Sequence, residues 1–173
     1  MEYSAEAIAE AFALDRRILF ETLLGPLIEE RPDIFLLGSR SLVSSLVYQA
    51  RQMQQHTNGL SLFAAMKLVR DIPGNDYVWR NFLPDLVGIT VVNDPKELMR
   101  RKAERRKNDD AIFEEIGTLV ELSSLYQHHL LQKMLRGRGV SIRYIDAGES
   151  VEDTEREAIR VWREYVDSLG ESL

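Results

Sequence analysis

Apolar side chains recur every three to four residues through most of this 173-residue chain, and that period commits it mainly to packed helices. Ser4 stands before a stretch of about 20 residues in which Ile8, Phe12, Leu19 and Leu23 share one face, with Gly25-Pro26 as its expected stop. A second helix is expected from near Ser39 to Thr57-Asn58-Gly59, striped by Val43, Leu46, Val47, Ala50 and Met53. A third runs from Ser61 through Leu62, Ala65, Met66, Val69 and Ile72 to Pro73-Gly74. Asp94-Pro95-Lys96-Glu97 combines a cap, a first-turn proline and a box-like acidic residue, and opens a helix that is polar almost all round. Asn108 or Asp109 caps a long amphipathic helix through Ile112, Ile116, Leu119, Tyr126 and Leu130 to Met134, which Gly137 ends. Ser150, with Asp153 three residues on, starts a last helix carrying Val151, Ala158, Trp162, Tyr165, Val166 and Leu169 on one face.

Strand signals are few. Residues 86–92 are rich in β-branched side chains and lie between Pro84 and Asn93-Asp94, and residues 140–145 alternate apolar and polar before Asp146-Ala147-Gly148. Residues 33–38 fit a buried strand or an early helical turn equally well. The expected fold is mainly α, an α+β arrangement with a minor sheet of two or three short strands in one compact helical domain over residues 1–173. No repeat, low-complexity run or linker divides the chain.

Composition narrows the chemistry. There is no cysteine, which excludes disulfides, thiolate metal sites and thiol nucleophiles, and which fits a reducing compartment. The N-terminal residues lack a basic leader segment, and no run of 18 apolar residues occurs, so a cytoplasmic protein without a membrane partner is expected.

The net charge of −6 conceals strong segregation. Residues 96–107 hold seven basic side chains against two acidic ones, whereas residues 146–173 hold nine acidic against three basic. Arg100, Arg101, Arg105 and Arg106 are therefore candidate partner-binding residues, able to clamp phosphates or an acidic protein surface. Nucleic acid is the less favoured partner, because the segment lacks stacking aromatics and recognisable nucleic-acid motifs. Pairing with the acidic C-terminal helix, within one molecule or between copies, explains the same pattern.

Arg51 and His56 have the Arg-x4-His spacing that resembles HEPN-type ribonucleases, helical enzymes that use such a pair on an RNA phosphodiester. The resemblance implies His56 as proton carrier and Arg51 as the group offsetting phosphate charge. Placement near a helix C-terminus, where cations are favoured, accounts for the same residues without catalysis. Glu114, Glu121 and His128 recur every seven residues, about 10 Å apart along a helix and too distant for one ion. No Glu-x-x-His pair, phosphate loop, nucleophile elbow or His-Glu-x-x-His motif occurs, and Gly38-Ser39-Arg40-Ser41 reads as a helix cap. No metal and no cofactor are expected.

Residues 77–84 form the most distinctive aromatic cluster, in which Trp79 and Arg80 are either partner anchors or part of a short helix plugging the core. The sequence therefore favours a non-enzymatic binding protein, a regulator, adaptor or assembly factor working through protein contacts or as a homo-oligomer. The alternatives are ribonuclease action through Arg51 and His56, and nucleic-acid binding through residues 96–107.

Overall fold

A computed structural model describes residues 3–38, 41–94, 96, 97, 100, 116–148 and 150–170. They fall into two compact units, Met1–Leu83 and Pro84–Leu173. No linker composition marks the boundary. It follows a helix end at Phe82, with Pro84 opening the next unit.

Helix is the only regular secondary structure among the described residues of the first unit. Helix α1 (Ala5–Leu19) begins at Ser4, whose hydroxyl accepts the Ala7 N–H at 3.2 Å. The expected stop at Gly25-Pro26 does not occur. A π-helical turn, Phe20–Leu24, carries the chain into α2 (Gly25–Glu30), with the Gly25 N–H reaching back to the Phe20 carbonyl. Pro26 lacks an N–H and would crowd the carbonyl four residues earlier in a continuous α-helix. The wider turn accommodates it, and the proline falls in the first turn of α2.

Helix α3 (Leu42–His56) is capped by Ser41 and ends before Gly59, which takes φ +78. Residues 39 and 40, part of the expected capping stretch, lie outside the described residues. The expected stripe Val43, Leu46, Val47, Ala50 and Met53 is buried, and so are Ala65, Met66 and Val69 of α4 (Leu62–Asp71). After the expected stop, Pro73 starts α5 (Pro73–Asn81), so Tyr77 and Trp79 of the aromatic cluster are helical, Phe82 lies just past the helix end, and Val78 and Trp79 are buried. Residues 34–38 are neither strand nor helix, and Phe35, Leu36 and Leu37 are exposed.

Helix α1 packs differently from the expected pattern. Its buried residues are Ala5, Ala9 and Ala13, whereas Phe12, Leu19 and Leu23 are exposed. Small side chains let its backbone approach α5 closely: a Cβ added at Gly74 would lie 2.1 Å from the Ala13 carbonyl oxygen. One turn on, the Arg16 guanidinium donates to Asn75 Oδ1 and to Ser45 Oγ of α3. Asn75 is fully buried and donates through Nδ2 to the Val69 carbonyl at 2.7 Å, near the end of α4.

The second unit holds a parallel pair, β1 (Leu86–Val91) and β2 (Ser141–Asp146), in register from Leu86 opposite Ser141 to Val91 opposite Asp146. A parallel pair needs a long crossover, and here it contains α6 (Ile116–Tyr126) and α7 (His129–Arg136). Helix α8 (Val151–Gly170) follows β2, its start capped by the Ser150 hydroxyl accepting the Asp153 N–H at 3.0 Å. A two-stranded sheet is marginal alone, and α7 and α8 both pack on β2. Of the face expected on α8, Trp162 and Leu169 are partly exposed and Val151 largely so, while Val161 is the buried residue.

The single long helix expected up to Met134 is two helices. Its expected start at Asn108 or Asp109, with Ile112 and Glu114, lies outside the described residues. The break falls at Gln127-His128, where His128 Nδ1 accepts the Leu130 N–H at 3.2 Å and caps α7. The carbonyls freed by the break find side chains. Tyr144 of β2 donates its hydroxyl to the Tyr126 carbonyl at 3.1 Å, and Gln132 donates to the Gln127 carbonyl at 3.0 Å. The expected stripe of Glu114, Glu121 and His128 is therefore interrupted, because His128 serves as a cap.

Two outcomes follow for stability, both read by urea denaturation of the full chain. Gly74→Ala drives a methyl into the Ala13 carbonyl and lowers stability by about 2–4 kcal/mol. Gly117→Ala, with nothing within 4 Å of the added Cβ, is neutral or stabilising by up to about 1 kcal/mol; equal effects at the two glycines would contradict the close α1–α5 approach. His128→Ala lowers stability by about 1 kcal/mol and His128→Ser preserves it. An alanine variant as stable as the wild type would remove the capping role.

Candidate interaction surface

The outer side of α1 follows from its inner side. Ala5, Ala9 and Ala13 occupy the contact with α3 and α5, so the large apolar residues of the same helix point elsewhere. Phe12, Leu14, Ile18, Leu19 and Leu23 each expose between 43% and 58% of their surface, and Leu37 exposes 97%. Isolated exposed apolar residues are ordinary, but five on one helix and its following turn form a stretch of the kind that marks a contact surface. Along this stretch the charged groups are Glu6, Glu10, Asp15, Arg17 and Glu21. Arg17 pairs with Glu21 at 2.8 Å and lies over the Tyr77 ring at 5.6 Å.

Beneath this surface the polar cluster of Arg16, Ser45 and Asn75 is unusual in holding a cation without a carboxylate. Burial lowers the Arg16 pKa from its ordinary value, and the nearby charge of Asp15 opposes that shift. Gln49, one helical turn beyond Ser45, is buried with its Oε1 lacking a hydrogen-bond partner.

The candidate residues read from the sequence are scattered. Arg51 donates to Gln55 Oε1 at 3.3 Å, and His56 is the exposed last residue of α3. A five-residue offset turns two side chains about 140° apart around a helix. Trp79 is 9% exposed with the Arg70 guanidinium 5.9 Å from its ring centroid, so its indole is a core group and not a protruding anchor. Arg80 is exposed and pairs with Asp76 at 2.8 Å. Asp94 caps as expected, accepting the Lys96 N–H at 2.9 Å, and Arg100 is held by both carboxylate oxygens of Glu97. Arg101, Arg105 and Arg106 lie outside the described residues, as does Pro95.

On the second unit, α8 borders a cleft of about 710 Å³ lined mainly by its own charged side chains and by Asp146. Arg160 bridges Glu157 and Glu164, and the two carboxylates hold its pKa above the usual range. Arg160 in turn lowers the Glu157 carboxyl, and the Ser150 hydroxyl lowers that of Asp153. Much of the charge on this helix is thus neutralised along its own length.

Leu14 and Ile18 were not singled out as surface residues from the sequence, although their signal is present there. Ala7, Ala11, Leu14 and Ile18 follow a four-three-four spacing on the side of α1 opposite Ala5, Ala9 and Ala13.

Among the described residues no group of three His, Asp or Glu side chains is placed to hold a metal, and no helix is long and apolar enough to cross a membrane. Compared with known proteins, the chain matches no family model, no curated protein and no solved structure.

Proposed function

We propose that this chain is a non-enzymatic helical binding protein that works through protein–protein contacts, as a regulator, adaptor or assembly factor, using the outer side of α1. The observation that carries this reading is the exposure of Phe12, Leu14, Ile18, Leu19 and Leu23 on one helix and its following turn. Alanines cover the inner contact, and the outer side chains supply the aliphatic and aromatic area on which protein interfaces rely.

A photo-crosslinking amino acid placed at Phe12 of the full chain, in cells, tests the reading. The expected result is a covalent adduct with a protein, either another species or a second copy, identified by mass spectrometry. The same label at Lys67, exposed on α4, serves as the control. Adducts no more abundant at position 12 than at position 67 would overturn the proposal.

A further inference from the structure

We infer that the occupant of this surface is a second copy of the chain, docked through an antiparallel pairing of α1 with its counterpart about a two-fold axis between Phe12 and Ala13. The inference rests on the binding function proposed above and names the partner.

The stripe that faces away from the rest of its unit is Ala7, Ala11, Leu14 and Ile18, all exposed. Its four-three-four spacing is that of a helix-pairing seam, with Ala7 and Leu14 at one kind of position and Ala11 and Ile18 at the other. The stripe is graded in size, with small residues in its first half and large ones in its second. In a parallel pair Ala7 meets Ala7 and Ile18 meets Ile18, leaving one end hollow and the other crowded. In an antiparallel pair Ala7 faces Ile18 and Ala11 faces Leu14, so each large side chain meets a small one.

Charge selects the same direction. Glu10 and Arg17 border the seam on one side, Ile8 and Asp15 on the other. Antiparallel pairing brings Glu10 of each copy beside Arg17 of the other, twice by symmetry. Parallel pairing brings Glu10 beside Asp15 of the other copy, two like charges at the positions that set partner orientation. Arg17 already holds Glu21, and its five N–H donors leave room for a second carboxylate.

Helix α1 has 15 residues and is about 22 Å long, short for a two-stranded pair on its own. Phe12 and Leu19 stand about 110–130° round the helix from the centre of this stripe, so the seam itself is formed by Leu14 and Ile18 with the two alanines and the charged flanks. Burying the exposed parts of Leu14 and Ile18, at about 100 Å² apiece, removes roughly 200 Å² per copy before the alanines and charged flanks are added. A standard interface buries about 800 Å² per partner, so this pairing belongs to the small, weak class of contacts.

The absence of cysteine gives a clean test in the full chain. Ala7→Cys and Ile18→Cys variants are prepared separately, mixed in equal amounts and oxidised gently. Antiparallel pairing predicts that the disulfide between the two different variants predominates over either homodimer. The two positions are about 16 Å apart along one helix, so a parallel pair yields the homodimers instead. In parallel, light scattering of the wild type is expected to give twice the 19.9 kDa monomer mass. Leu14→Glu/Ile18→Glu, at exposed positions, is expected to keep its helical circular dichroism and to dissociate at least about tenfold more readily. Predominant homodisulfides overturn the antiparallel geometry, and a monomer at all concentrations with no cross-link overturns self-association. In the monomeric case, adducts to another protein at position 12 would leave the binding function standing, and their absence would remove both.

Discussion

The approach of α1 to α5 at Ala13 and Gly74 is the contact on which the first unit depends. It is possible because neither residue has more than a methyl group to place between the two backbones, and even one more carbon at Gly74 would meet the Ala13 carbonyl. Asn75, the next residue in α5, receives the Arg16 guanidinium and also binds the end of α4, while Ser45 of α3 takes another guanidinium N–H. Four helices are therefore fixed around one small polar cluster. Sealing a cation there lowers its pKa, so the cluster opposes part of the gain from burial while dictating which groups must meet.

That close packing determines what is left outside. A helix that docked through Phe12 and Leu19 would stand farther from its neighbours and would hide its largest side chains. Docking through alanine does the reverse, leaving the apolar area of α1 facing outward. A partner surface and a tightly packed helix are thus two sides of the same arrangement. The second unit solves a different problem, since its two parallel strands need helices over them. There Tyr144 joins β2 to the break between α6 and α7 by bonding a carbonyl that the break leaves open.

Much of the helical framework is legible in the sequence where the determinants are local. Ser61 and Ser150 cap the helices they precede, the stripe of α3 is buried as its period implies, and the β-branched and the alternating stretch each form a strand. What escapes a local reading depends on distant partners. Large apolar residues outrank alanine on any scale of burial, yet Ala13 is chosen by Gly74, about 60 positions away in sequence. Arg16 reads as a surface charge until Ser45 and Asn75, 29 and 59 positions on, are seen around it. The proline after Gly25 looks like a terminator because a π-turn is a rare answer to it. The binding surface suffers from the same ambiguity: the outer stripe of α1 is as regular as the inner one, and only packing shows which of the two is covered.

The central claim is that α1 is held from within by the polar cluster joining it to α5, which frees its outer side for a partner. A double-mutant cycle between Arg16→Met and Asn75→Ala, read by urea denaturation, tests this most directly. The two substitutions are predicted to be non-additive by at least about 1 kcal/mol, because each removes the same contact. Additivity within about 0.3 kcal/mol would mean that Arg16 and Asn75 act independently, and would contradict the account.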